Sequence, residues 1–460
     1  MNSALMDAAD ERIPPPKLFV LGLQHVLVMY AGAIAVPLII GGALHLSKED
    51  IAFLISADLF CCGVVTMIQC MGIGHVGIRL PVMMGMSFTA IGPIIAIGSN
   101  PALGMPAVFG AVIGSGIFTY LAAPYMSCLV RWFPPVVTGS VVLMIGISLM
   151  RVGINWAAGG QPMISSPTGP IPNPLYGIPL NLALAGIVLL SVLLLIAFAK
   201  GFVANISVLL SIVIGFIIAV ILGKVDFAGV MTAPWFSLIT PFHFGLPTFD
   251  PLSILMLSIV MVVMMIESTG LFIALGDIIG RPITRDVLAR GLRTDGVGNI
   301  VGGVFGTFCY TSYAQNIGLV QMTGVRSRWV CVAAGVILVV LGCLPKMAFI
   351  AASIPQYVLG GAAVVMFGMV AAAGIKILTR VDFAGNAKNL YIVAVSLVLG
   401  IIPLVGDRFF SQLPELVAKF MQNGILLTTF TAVTLNILFN YHRPDAADEL
   451  GLASKDMKTQ

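Results

Sequence analysis

Gly306-Thr-Phe-Cys-Tyr-Thr-Ser-Tyr-Ala-Gln-Asn-Ile-Gly318 interrupts an otherwise apolar chain. Its β-branched and aromatic residues favour extended backbone, and the polar pair Gln315-Asn316 then opens a short helical stretch. A second interruption, Arg79-Leu-Pro-Val-Met-Met-Gly-Met-Ser-Phe-Thr-Ala-Ile-Gly-Pro93, is broken by Pro81, Gly85, Gly92 and Pro93. Each predicts a brief extended segment feeding a half-helix. Pro81 and Pro93 on their own could be ordinary membrane kinks. The two stretches lie seven spans apart, at matching positions of the two halves, which is the pattern of an inverted repeat whose broken pair marks a binding site at mid-membrane.

The lipid setting follows from composition. Of 460 residues, 59% are hydrophobic and only 9% charged, against about 25% charged in a soluble domain. Apolar stretches of the roughly 20 residues needed to cross a bilayer follow one another along the chain. The expected spans are 17–42, 47–73, 80–99, 104–130, 132–152, 180–199, 202–223, 250–276, 292–308, 312–324, 328–346, 353–375, 388–406 and 421–440. The expected fold is therefore an all-α polytopic membrane protein of fourteen spans, a seven-plus-seven inverted repeat with short extended segments in the third and tenth.

The segment Met1–Pro16 is polar, carries Asp7, Asp10 and Glu11, and lacks the parts of a signal peptide, so the first span is expected to be retained. With the N-terminus inside, inner segments hold Arg12, Lys17, Arg79, Arg131, Lys200, Arg281, Arg285, Arg290, Arg293, Arg326, Arg328, Lys376, Arg380, Lys388, Arg443, Lys455 and Lys458. Outer segments hold Lys48, Arg151, Lys224, Lys346, Arg408 and Lys419. Seventeen of the 23 basic residues on one side satisfy the positive-inside rule and place both termini in the cytoplasm. The net charge of +4 thus serves orientation and calls for no nucleic-acid partner. The seven cysteines, Cys61, Cys62, Cys70, Cys128, Cys309, Cys331 and Cys343, sit in apolar stretches without metal-ligand spacing and read as small buried hydrophobes. No metal or cofactor is expected.

An ionisable residue inside a span costs roughly 2.5–3.5 kcal/mol at the helix centre, so each needs a partner or a purpose. His25, Glu267 and Asp295 meet that description. Glu267 lies deep in its span, where a carboxyl can exchange a proton as its surroundings open and close and can accept ring N–H groups from a nucleobase. His25, beside Gln24, is either an interhelical hydrogen-bonder or a handler of substrate or proton. Asp295 is expected near the start of the ninth span, where it could be a helix cap or a site residue. Asp277 reads as an interfacial charge.

Gln315-Asn316-Ile317-Gly318 followed by Thr323-Gly324 resembles the signature Gln-Asn-x-Gly-x-x-x-x-Thr of the nucleobase–ascorbate transporter family, the nucleobase:cation symporters. Together with Gln24-His25, Glu267 and Asp295, the likeness covers nearly the whole chain. The run Leu21–Pro37 and the stretch around Arg293 resemble the bacterial uric acid and xanthine permease branch in particular. The resemblance implies a core domain (residues 17–130 and 250–346), a gate domain (132–223 and 353–440), a homodimer joined through the gate domains, and an elevator-like step. It implies proton-coupled import of purines, most of all uric acid and xanthine, across the bacterial inner membrane. It also implies that Glu267 and Gln315 hydrogen-bond the purine, that Phe88 and Ala314 stack on it and offer backbone N–H groups, and that Asn316, His25 and Asp295 serve affinity or coupling. Ser87 stands where xanthine-selective relatives tend to carry Asn and urate carriers Thr, Gly324 where some urate carriers have Arg, and Leu271 where some xanthine carriers have an acid. These three positions imply dual selectivity.

The sequence shows no His-Glu-x-x-His, no Gly-x-Ser-x-Gly and no carboxylate pair at catalytic spacing, which argues against a membrane-embedded enzyme. A passive channel is a second alternative. A uracil or other anion carrier of the same fold is a third, and Gln315 and Glu267 argue against it.

Overall fold

The computed structural model describes residues 8–126, 133–166, 169–406, 408–414, 417–418 and 421–440. Asp7, Cys128, Arg131, Lys419, Arg443, Lys455 and Lys458 lie outside the described residues, as do the last part of the expected fourth span and the first residue of the fifth.

The helices are α1 (Pro15–Ala43), α2 (Lys48–Met71), α3 (Ile91–Gly98), α4 (Gly104–Ala122), α5 (Pro135–Ala157), α6 (Pro179–Phe198), α7 (Ser207–Ile221), α8 (Pro251–Ile279), α9 (Arg285–Phe305), α10 (Ala314–Thr323), α11 (Arg328–Gly342), α12 (Pro345–Ala352), α13 (Gln356–Leu378), α14 (Lys388–Val405) and α15 (Gly424–Asn440). Among the described residues, eight helices are long and apolar enough to cross a membrane, and the bent pair α11 and α12 makes up to nine. Local chemistry fixes the boundaries. Ser47 caps α2 by accepting from the Asp50 N–H at 3.0 Å. Asp250 caps α8 ahead of Pro251, and Thr284 caps α9. Helices α8, α9 and α10 end at Gly280, Gly306 and Gly324, each left-handed with φ of 82°, 77° and 68°.

Helix packing falls into two sets. In one, α2 packs on α1, α9, α11 and α12, while α4 packs on α8 and α9. In the other, α13 packs on α5, α6 and α7, while α14 and α15 pack on each other and on α5. At one end of the first set, Asp10 Oδ1 accepts from Arg328 Nε at 2.6 Å, and Arg328 Nη1 donates to the terminal carbonyls of α2, Cys70 and Met71, at 2.8 and 2.9 Å. At the other end, Lys48 pairs with Asp226 at 3.4 Å.

Several expected boundaries move. Helix α9 begins at Arg285 rather than at 292, because Thr284 supplies a cap that a hydrophobicity reading overlooks. Asp295 therefore sits mid-helix and fully buried instead of near a start. The expected eleventh span bends by 80° between α11 and α12, at Pro345. The expected seventh span breaks at Ile206, leaving a turn at Phe202–Asn205 before α7. The segment between α5 and α6 forms a hairpin of β2 (Met163–Ser166) and β3 (Gly169–Pro172).

Candidate functional site

Both interruptions begin as strands, β1 (Met84–Met86) and β4 (Tyr310–Ser312), and the two pair antiparallel: Met84 opposite Ser312, Gly85 opposite Thr311, Met86 opposite Tyr310. The ladder is extended by Ser87 N–H to the Cys309 carbonyl at 2.8 Å and Tyr313 N–H to the Met83 carbonyl at 2.9 Å. A two-stranded ribbon inside a membrane leaves outward N–H groups on both edges, and each must find a partner. On the β1 edge Met84 N–H donates to Thr66 Oγ1 of α2 at 2.9 Å. On the β4 edge Tyr310 N–H donates to Asn299 Oδ1 of α9 at 2.8 Å. Two short helices leave this ribbon: a 3-10 turn at Phe88–Ala90 leading into α3, and α10 starting at Ala314. The extended-then-half-helix form expected of each stretch is thus present, and the strands bring the two together.

The residues singled out above separate into two groups. Glu267, on α8, is partly exposed, and Ala314 and Gln315, at the start of α10, are exposed. Among the described residues neither the Glu267 carboxyl nor the Gln315 amide has a hydrogen-bond partner, and Tyr313 provides no side-chain cap for the first N–H groups of α10. The open face of α10 continues through Gly318, and that of α8 through Gly270. A Cβ placed on either glycine would meet nothing within 4 Å. Helices α8 and α10 pack against each other. Phe88 is half-buried, its ring edge-to-face with Phe367 of α13 at 5.7 Å, and it borders a cavity of about 550 Å³ with α3 and the start of α8 on one side and the second helix set on the other. That cavity is also lined by Ser148, Ser253, Gln422 and Asn423; Glu267 and Gln315 do not line it.

The second group faces inward. Asn316 Nδ2 donates to the His25 carbonyl at 2.9 Å and lies 3.1 Å from His25 Nδ1, so this pair braces α10 against α1. Asp295 Oδ2 accepts from Ser268 Oγ at 2.8 Å, and Ser268 Oγ is 3.0 Å from Thr311 Oγ1 of β4. Glu267 directly precedes Ser268 in α8. Ser87 is 4% exposed, and its Oγ accepts from Thr89 N–H at 3.2 Å, capping the 3-10 turn. Asp277 is exposed at the far end of α8, and Leu271 lies on the partly open face of that helix. Gly324 has a conformational reason to be glycine, since its φ of 68° is the left-handed cap of α10.

One buried acid escaped the sequence reading. Asp58, in the middle of α2, is fully buried, and its Oδ1 accepts from Tyr310 Oη at 2.9 Å and from Cys62 Sγ at 3.2 Å. The signal was available, for Asp58 meets the same test of an ionisable group inside an apolar span that picked out Glu267. Cys62 is correspondingly a hydrogen-bond donor as well as a small apolar filler.

A ribbon held within the helices, with two half-helices leaving it and an acid and an amide facing open space, is built into a multi-pass membrane protein. The Permease family model matches residues 16–409. The uric acid transporter UacT of Escherichia coli (strain K12) is 50% identical over 457 residues, which cover 99% of this chain and 92% of that protein. The xanthine permease of Bacillus subtilis (strain 168) is 47% identical over 424 residues, covering 92% and 94%. The transmembrane domain of the cyanobacterial bicarbonate transporter BicA shares the fold, with a TM-score of 0.58 and 16% identity over 93% of this chain and 99% of that one. The chain belongs to this permease family, the nucleobase–ascorbate transporters, and is a multi-pass membrane transporter rather than an enzyme.

Proposed function

We propose that this protein is a proton-coupled symporter that imports purines, uric acid and xanthine first among them, by elevator-type alternating access. The observation that carries the reading is the Glu267 carboxyl and Gln315 amide, neither with a hydrogen-bond partner among the described residues, beside the uncapped N-terminus of α10. A purine dione presents carbonyls and N–H groups in one plane, so an acid, an amide and free backbone N–H groups can read its edge. Phe88 offers an aromatic face. The names of the two relatives support the substrate class.

Architecture belongs to the same proposal. The antiparallel pairing of β1 with β4 is the contact that an in-plane two-fold axis between two seven-span halves would generate. The two packing sets support a core domain of spans one to four and eight to eleven moving against a gate domain of the remainder. Gate-to-gate contact in a homodimer and cytoplasmic termini in the bacterial inner membrane complete the reading.

Uptake of labelled urate and xanthine into membrane vesicles, with and without an imposed pH gradient, tests it. Gradient-driven accumulation that an uncoupler abolishes is expected. Equilibration alone would make the protein a passive channel, and uptake of uracil or bicarbonate instead would give it to the alternative carrier class.

Truncating Gln315 to Ala removes one edge-reading amide and is expected to cost about 1–3 kcal/mol, roughly fivefold to a hundredfold in purine affinity. Competition uptake at several substrate concentrations measures this. An unchanged value would make Gln315 a structural residue. Ser87→Asn keeps a residue able to cap the 3-10 turn, so abundance should hold, while the longer, fixed amide fills space beside Phe88. Urate uptake is expected to fall much more than xanthine uptake, because urate carries the additional C8 oxygen. The ratio of the two uptake efficiencies in variant and parent decides it.

A further inference from the structure

Along α2, Asp58, Cys62, Thr66 and Gln69 recur at spacings of four, four and three, which places them on one helical face, and all are fully buried. That face holds the re-entrant backbone. Gln69 Oε1 accepts from Ile78 N–H at 3.0 Å and its Nε2 donates to the Gly291 carbonyl at 3.1 Å, while Thr66 takes the Met84 N–H. Asp58 takes the Tyr310 hydroxyl. Successive side chains of a strand point to opposite faces, and β4 is accordingly held from both sides: Tyr310 on Asp58, and Thr311 on Ser268, which itself donates to Asp295.

Tyr310 Oη also lies 3.0 Å from Thr307 Oγ1, so its hydroxyl would have a partner without any acid nearby. Asp58 Oδ2 is buried with no hydrogen-bond partner among the described residues. An acid kept at such a site costs stability that a threonine or valine would not, and a cost of this kind persists where it serves placement of a functional segment. We propose that Asp58 is a positioning residue for transport. Acting through Tyr310, it fixes the register and direction of β4, and so the start of α10, where Ala314 and Gln315 face the ligand. This rests on the reading that Gln315 and Glu267 bind the purine.

The test compares Tyr310→Phe, Asp58→Asn, Asp58→Ala and the double variant Asp58→Ala/Tyr310→Phe for urate and xanthine uptake, normalised to membrane abundance. Tyr310→Phe and Asp58→Ala should raise KM about tenfold to a hundredfold, as misplacement of a binding group does. Asp58→Asn, which keeps a carbonyl acceptor for Tyr310, should restore most of it. The double variant should be no worse than the worse single one, since both act through one contact. An unchanged KM in Tyr310→Phe, additive losses, or an Asp58→Asn as poor as Asp58→Ala overturns the proposal. If Asp58→Ala does not fold, Tyr310→Phe and Asp58→Asn still decide. Hydrogen exchange on the purified proteins needs no substrate: amides in 84–88 and 308–316 should exchange faster in Tyr310→Phe while those of α5 and α13 do not. Unchanged exchange there refutes the clamp. A parent protein that carries no purine refutes the substrate reading alone and leaves exchange to judge Asp58.

Discussion

Glu267→Gln is expected to reach the membrane at parental abundance and to lose proton-driven accumulation of purine altogether. The amide has nearly the shape of the carboxyl, and because the Glu267 carboxyl has no hydrogen-bond partner among the described residues, no hydrogen bond to them is lost with it. What changes is chemistry. A carboxyl inside a span can take a proton on one side of the membrane and yield it on the other, whereas an amide does neither. One charge moved through 100 mV is worth roughly 2.3 kcal/mol, enough for about fifty-fold accumulation, and the variant should forfeit that whole factor. Steady-state accumulation in energised vesicles measures it, and counterflow of labelled against unlabelled purine separates coupling from binding. Loss of accumulation with counterflow intact assigns Glu267 to coupling; loss of both assigns it to binding as well. Accumulation at the parental level removes Glu267 from the mechanism.

Glu267 was legible in the sequence because polarity at mid-span is so costly that a single residue carries the signal. The broken third and tenth stretches were legible for a similar reason: clustered proline and glycine in one, and β-branched and aromatic residues in the other, favour broken or extended backbone, and hydrogen-bonding rules inside a membrane allow few alternatives. The pairing of those stretches into one ribbon was not readable from either alone, since the register of Met84 with Ser312 joins residues over two hundred positions apart. Nor was the division of roles. Gln315 and Asn316 are neighbours of similar chemistry, yet helical geometry turns Gln315 to open space and Asn316 onto His25. Asp58 could have been found by the argument that found Glu267, and its neighbours Cys61 and Cys62 disguised it as part of an apolar run. The start of α9 was misplaced because Arg285, Asp286 and Arg290 made its first two turns look like a loop, although Thr284 and Asp286 are good cap and first-turn residues.

Gly146→Val and Gly318→Val are expected to separate folding from transport. Helices α5 and α13 run antiparallel in close contact, and α5 presents Gly139, Gly146 and Gly153 seven residues apart, on one face. A Cβ at Gly146 would fall well inside 3.0 Å of the Ala371 backbone nitrogen and Cα, and one at Gly374 would meet Leu143 in the same way. Backbone cannot rotate aside as a side chain can, so the helices themselves must part, undoing the close packing on which association in lipid depends. Overpacking of this kind costs about 1–3 kcal/mol or more, and Gly146→Val should lower folded protein in the membrane by roughly tenfold. Gly318 is the contrasting case, because nothing lies within 4 Å of its added Cβ. Gly318→Val should accumulate normally, yet it places two methyl groups on the open face of α10, one turn beyond Ala314 and Gln315, where a purine needs room. Its uptake per molecule should fall while its elution as a folded species is unchanged. Membrane abundance, size-exclusion profile and urate uptake, measured side by side, give the answer. Parental abundance for Gly146→Val would show that α5 and α13 can separate without loss. Parental uptake for Gly318→Val would show that the open face of α10 does not border the path of the purine.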